Sequence, residues 1–586
     1  MLTAVRADRR PRMPDHGLML AIVLVFLAAC SASDVQPADT VYIDGRVYTV
    51  NASNNWAEAV AVRDGKIVAV GSTEQISAFR GPGTTVSDLQ GRMLMPGIHD
   101  MHIHTTEGGM KERFECGFGA SLRIPEIIEK VADCAVATSS GEWIRGGGWA
   151  TALLKSDTPP HKDHLDAVTT DHPVFLMDWA VHNAWLNSAA LEQLGIGDDT
   201  PDPVGGQIVR DAESGEATGL LIDNAAYEAQ ERLPAYSHQQ NIEATRWAID
   251  QYVKYGITSF KDAIVNGENM ATYYELAEAG ELKTRVYTSL AWKSAWSTSH
   301  QEELDIIDKR ESYETGLLRT GFAKIMLDGV PLAYTSAMLV PYRPDDVHGD
   351  NFTGELMFSP EELAADVVKL DAQGLTIKIH ATGDRAARVA LDAFEAARRT
   401  NGDSGLVHEV SHAQYIHPDD IPRFAELNIA AEMCPILWYP DASGAARASI
   451  LGEERADQMW PMKSLLEAGA LVIYGSDWPA VVRNANPWPG IEAMVTRQNP
   501  YDEFPGAQWP EQAISLADAI RITTQNGAAA GKSADETGSI EIGKAADFIV
   551  LDRNIFDVPI EAVSDVKVLM TVVDGRVVFS QENEST

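Results

Sequence analysis

Two histidines two residues apart, His102 and His104, close the run Leu94-Met95-Pro96-Gly97-Ile98-His99-Asp100-Met101-His102-Ile103-His104. In a strand, side chains i and i+2 share a face, so both imidazoles point to one spot. Two neutral imidazoles so placed can grip a borderline divalent cation such as zinc. An isolated pair of this kind is more often two surface histidines in a loop. Here further donors follow along the chain: Lys324, His380, His412 and Asp477, each in or at the C-terminal end of a short β-rich run. Singly, Lys324 could pair with Asp328, His380 and His412 could be satisfied core histidines, and Asp477 could cap the helix after Trp478-Pro479. Together they form a metal centre whose groups converge on one mouth.

The elements that would position them alternate strand-like and helix-like text. Short β-rich runs occur at 257–263, 284–291, 322–328, 375–381, 406–413, 428–434 and 471–477, and the opening strand makes eight. ATRWAIDQYVKYG and RAARVALDAFEAARR carry apolar residues at helical spacing between them. Eight such units predict an α/β fold, a TIM (β/α)8 barrel over residues 95–534, with catalytic groups at the C-terminal ends of its strands. The stretch after the first strand, about 105–250, is too long for a barrel loop and must hold structure of its own. The two ends read differently. Asp44-Gly45 and Asp64-Gly65 between apolar runs signal hairpins, and Asp574-Gly575-Arg576 echoes Asp44-Gly45-Arg46. Residues 41–94 and 535–582 are therefore expected to build one small β-sandwich.

The chain has 586 residues, too many for one ordinary core. Hydrophobic residues at 45% and charged residues at 23% are globular values. The formal net charge of -38 argues against a nucleic-acid partner. Arg6, Arg9, Arg10 and Arg12 precede an apolar stretch from Gly17 to Ala29, which is too short to span a bilayer as a helix. The stretch ends in Leu27-Ala28-Ala29-Cys30, which resembles a bacterial lipobox. That resemblance implies a signal peptide over 1–29, a lipid on Cys30 and a polar tether over 30–40. Ser31, rather than Asp, after the cysteine favours the periplasmic side of the outer membrane. The lipid anchor would then be the only membrane contact. An oxidising compartment permits a disulfide between Cys116 and Cys134, while Cys434, in an apolar run, reads as a buried thiol.

The ordered motifs MPGIHDMHIH, KIMLDG, IKIHATGDRA, SHAQ and YGSDWP, with HNAWLNSAAL in the long insertion, resemble the amidohydrolase superfamily. The likeness is strongest to its amidohydrolase-3 branch, which includes N-substituted formamide deformylases. It implies one or two divalent metals, usually zinc, held by His102, His104, His380, His412 and Asp477. It further implies a carbamylated Lys324 bridging them. Two positions depart from the pattern: His99 stands where an apolar residue is common, and Ser411 precedes His412 where a Glu is frequent.

The expected chemistry is hydrolysis of a non-peptide C–N bond in a small amide-type substrate. Metal-bound water would attack, and Asp477 would carry the proton from nucleophile to leaving nitrogen. Trp149, Trp478 and His182 are candidate substrate contacts. A cyclic amide, imidazolone or ester substrate on the same centre remains open, as does a non-catalytic metal-binding lipoprotein. A homodimer is equally open.

Overall fold

The structure, a computed structural model, describes residues 35–584 apart from 54, 120, 180–181, 204–205, 295–296, 346, 436–438, 442, 481, 483 and 502. The expected signal peptide and Cys30 lie outside the described residues. Eight parallel strands form one sheet in chain order: β1 (Ile98–Ile103), β2 (Ile257–Val265), β3 (Arg285–Ala291), β4 (Leu318–Met326), β5 (Thr376–Ala381), β6 (His408–His412), β7 (Ile429–Met433) and β8 (Leu471–Tyr474). The seam between β8 and β1 is bridged just past the strand ends. There the Asp477 N–H donates to the His102 carbonyl (2.7 Å) and the His104 N–H to the Trp478 carbonyl (2.8 Å). The result is a nearly closed TIM-type barrel. Its crossover helices obey local rules. His238–Tyr255 starts in a capping box of Ser237 with Gln240 and stops at Gly256, whose φ of 85° suits a residue without Cβ. Asp384–Asn401 buries Ala386, Ala387, Ala390, Leu391, Phe394 and Ala397, one face at helical period.

Strand ends differ from the sequence expectation by a few residues, and the differences in β8 and β4 matter to the site. β8 stops at Tyr474 rather than 477. A Cβ on Gly475 would lie 2.4 Å from the His102 Cβ, so the chain passes β1 at a glycine and then turns. Asp477 sits in that turn at a φ of 57°. β4 begins earlier, at Leu318, and ends at Met326, which leaves Asp328 in the loop above the barrel.

Strands from both chain ends share one six-stranded sheet, in which Met93–Pro96 runs antiparallel to Phe548–Leu551. A four-stranded sheet packs near it, and Val47, Val60, Leu94, Phe548, Val550 and Val572 fill the core. Asp64-Gly65 turns a hairpin with Arg63 opposite Lys66. Asp44-Gly45 does not, because Thr40–Ile43 and Arg46–Tyr48 belong to different sheets and the pair carries the chain between them. The insertion has a mixed six-stranded sheet of its own, from Cys116–Gly117 through Ala217–Asp223 to Gly206–Arg210. A disulfide joins Cys116 to Cys134, tying the edge strand to the helix Ile124–Ala137. Among the described residues, no helix is long and apolar enough to cross a membrane.

Candidate metal centre

The barrel brings the sequence-predicted donors to one place. His102 Nε2 lies 3.3 Å and His104 Nε2 3.4 Å from the same Asp477 oxygen. The rings of His102 and His412 are 4.7 Å apart between centroids, and those of His380 and His412 are 4.5 Å apart. All four histidines and Asp477 are largely withdrawn from solvent, with His104 the most open. Two nitrogen or oxygen donors bound to zinc at about 2.0–2.1 Å and a tetrahedral angle stand about 3.3–3.4 Å from each other. The His102–Asp477 and His104–Asp477 separations match that edge, so the donor set fits a divalent cation.

Electrostatics agree. Burial, with Lys324 nearby, pushes His102 down to about 4 although Glu432 and Asp477 oppose this. Burial also lowers His412 well below the usual imidazole range, His380 adding to it. Both are neutral at pH 7, as a ligand must be. Burial alone would raise the Asp477 carboxyl, but His102, His104 and His412 together hold it well below the usual carboxylate range. Lys324, on β4, is buried and pushed down to about 8 by that burial and by Lys378. Asp328 does not pair with it. The Asp328 carboxylate faces His380 Nδ1 at 3.2 Å and accepts the N–H groups of Ala337, Thr382 and Gly383 at 2.9–3.0 Å. That contact orients His380 with Nδ1 toward Asp328 and leaves Nε2 for a cation.

The sequence expectation includes β7 as a barrel strand but places no functional residue on it. Glu432 is fully buried and hydrogen-bonds His102 Nδ1, while Lys378 Nζ donates to it at 2.9 Å. Ser411, noted only as a departure from the family pattern, donates to Glu432 at 2.8 Å and lies 2.9 Å from His102 Nδ1. Cys434 is a buried free thiol, 3.5 Å from both His412 Nδ1 and Glu432 Oε1. The available signal was the strand period. Lys378 stands two residues before His380 on β5, and Glu432 two before Cys434 in the otherwise apolar β7. His99 takes no part: it is buried beside Thr537, with Gly527 packed against its Cβ.

A cavity of about 1230 Å³ opens between the insertion and the mouth. Phe118, Phe175, Met177 and Trp179 face Trp478 and Pro479 across it, and Gly146–Gly148 form part of its wall. Those three glycines have φ of 140°, 126° and 113°, and a Cβ on Gly147 would meet the Met177 carbonyl at 2.0 Å. No other residue fits, which accounts for the Gly-Gly-Gly run and keeps that wall bare. Trp478 is part of the lining of this cavity. Trp149 differs. It is wholly buried in the insertion core, its indole N–H on the Leu176 carbonyl, and presents no surface to a ligand. His182 pairs with Asp223 (3.0 Å) and Tyr227 (2.8 Å) and is absent from the cavity lining.

This geometry agrees with likeness to known proteins. Protein LONG AFTER FAR-RED 3 of Arabidopsis thaliana is 31% identical over 557 residues, 92% of each chain. The N-substituted formamide deformylase of Arthrobacter pascens is 29% identical over 551 residues, covering 92% of this chain and 98% of that one. An uncharacterized metal-dependent hydrolase from Pyrococcus horikoshii OT3 shares the fold at a TM-score of 0.71 and 24% identity, over 89% of this chain and 99% of its own. A sequence profile of the amidohydrolase family matches residues 85–579, and the chain belongs to that family, in its amidohydrolase-3 branch.

Proposed function

We propose that the chain hydrolyses the C–N bond of a non-peptide amide whose apolar body occupies the cavity between insertion and mouth. The observation that carries this is the pair of imidazoles set 3.3 and 3.4 Å from one carboxylate oxygen, beside an aromatic-walled cavity. His102, His104, His380, His412 and Asp477 would hold a divalent cation, with zinc favoured by the imidazole-rich donor set. Such a cation supplies a Lewis acid for the carbonyl and lowers the pKa of a bound water to about 7. Asp477 remains ionised and buried, so it can take the proton of the attacking water and pass it to the leaving nitrogen. Lys324, brought to about 8, keeps an unprotonated fraction at pH 7. Its amine can therefore add to carbon dioxide and shed a proton, giving the carbamate that would bridge two cations. Trp478 and the insertion aromatics would hold the amine or acyl group and keep water from the reacting bond.

The test is a panel of N-formyl and N-acyl amines, aromatic and aliphatic, offered to zinc-replete protein with bicarbonate. Turnover of at least one amide that exhaustive chelation abolishes and zinc restores is the expected result. Turnover that survives chelation, or esters cleaved with no amide cleaved, would overturn the reading. For the cell, we propose export and anchoring through Cys30. Mass spectrometry of native protein should find Cys30 as a lipidated N-terminus, and an unmodified N-terminus would remove the idea.

A further inference from the structure

Barrel interiors are usually filled by branched apolar side chains. Here, besides the donors of the centre, a connected run of four ionisable side chains lies in the interior, each at most 1% exposed: Lys261 on β2, Lys378 on β5, Glu409 on β6 and Glu432 on β7. They alternate in sign and touch in sequence. Lys261 Nζ bonds Glu409 Oε1 and the Ala530 carbonyl (3.3 Å). The other Glu409 oxygen meets Lys378 Nζ at 2.8 Å. Lys378 also donates to the Met101 carbonyl (2.7 Å) and to Glu432 (2.9 Å). Glu432 then ends on His102 Nδ1, with the Ser411 hydroxyl bridging the two.

Burying such a set is costly, and well-packed apolar residues of the same volume are often at least as stable. Stability alone therefore does not explain it, whereas its direction does. The column starts at the floor of the barrel and terminates on one side chain of the centre.

We propose that the column Lys261–Glu409–Lys378–Glu432 is a positioning device for His102, fixing the proton on Nδ1 and presenting Nε2, with raised basicity, to the metal. This rests on the reading of His102 as a metal ligand. An ionised Glu432 can only accept, so it selects the Nδ1–H tautomer. Lys378 fixes the Glu432 carboxylate in place. Glu409 shares Lys378 with Glu432, and Lys261 in turn pairs with Glu409, so Lys378 is divided between two carboxylates and Glu432 keeps part of its charge for the imidazole. A glutamine at 432 loses the charge, and its amide can rotate to donate to Nδ1, which moves the proton to Nε2 and blocks the metal.

Zinc affinity of the full chain is measured by competition with a chromogenic chelator, and the His102 tautomer of the metal-free protein by nitrogen-15 correlation NMR. Glu432→Gln is expected to weaken zinc binding about 10–100-fold and to shift His102 away from the Nδ1–H form. Lys378→Met should weaken binding in the same direction with Glu432 intact. Ser411→Ala, which leaves every charge in place, should lose less than Glu432→Gln and serves if the charge variants do not fold. A merely structural column would change the melting temperature of the metal-free variants and leave affinity and tautomer alone. Wild-type affinity in Glu432→Gln, or in Ser411→Ala should it alone fold, overturns the proposal. Wild-type protein that takes up no zinc would instead overturn the metal reading beneath it.

Discussion

Leu94 lies in the sandwich core and His102 in the barrel, eight residues apart on one continuous piece of chain. Both segments are fully buried, and both are strands. The sandwich interior around Leu94 is hydrocarbon: Val47, Phe548, Val550 and Val572. The barrel interior around His102 holds carboxylates, lysines and imidazoles in mutual contact. A sheet gains nothing in stability from ions that apolar groups could replace, so the charges mark where the molecule does chemistry and the hydrocarbon marks where it only holds together. Substitutions in the two interiors should separate accordingly.

The largest effect is expected at Asp477, whose change should alter rate and not fold. Asp477→Asn keeps an oxygen for the cation but cannot accept the proton from the nucleophile. Turnover should fall about 10²–10⁴-fold, the usual contribution of a general base, while elemental analysis still finds metal. His412→Ala differs in kind and should lose the metal itself. Near-normal turnover in Asp477→Asn would break the assignment.

Phe548→Ala is the counterpart in the sandwich. Its ring is fully buried and meets Tyr42 edge-on at 4.9 Å. Truncation should cost about 3–5 kcal/mol of stability, read as a lower denaturant midpoint. Turnover per folded molecule and zinc affinity should stay at the wild-type value. A loss of zinc affinity at this site would show that the two interiors are coupled.

The sequence made one side of this comparison legible and half hid the other. Eight strands, the split sandwich and the gathering of His102, His104, His380, His412 and Asp477 at one place could be read from period and order, because each of these side chains lies at or just beyond a strand's C-terminal end. Glu432 and Lys378 were harder. A lone charge in an apolar strand reads as a solvated edge until the barrel closes and shows that both faces are covered. Trp149 reads as an aromatic in the insertion above the mouth and so as a candidate substrate contact, yet the bare cavity wall belongs to the glycines beside it and the ring to the core behind them. Asp44-Gly45 carried a hairpin signal, but local turn chemistry does not record which sheet the next strand joins.

The insertion offers a smaller effect. Cys116–Cys134 closes a loop with a sequence separation of 18, for which removal should cost about 3 kcal/mol. Replacing both cysteines by serine should make residues near the cavity exchange amide hydrogens faster. Zinc affinity should not move, since no cysteine of the pair reaches the centre.

The smallest effect lies at the seam between the two interiors. His99 is on the same strand as His102, buried at the opposite end. Burial, reinforced by Arg285 and Lys544, pushes it down to about 3 from an ordinary value of 6.5. Between those limits the unfolded imidazole binds a proton that the folded one refuses, so stability falls as pH falls from 6.5 toward 3 and is unaffected above 6.5. At pH 5 the loss traceable to this one group is about 2 kcal/mol. Asp100, raised to about 7 by burial, works in the opposite sense. It is common to wild type and variant and drops out of their difference. His99→Asn should therefore lose about 2 kcal/mol less stability than wild type between pH 7.5 and pH 5, measured as the change in denaturant midpoint at each pH. Equal acid sensitivity in the two proteins would show that His99 is not the group that titrates at the seam, and that the charged interior alone sets the acid limb.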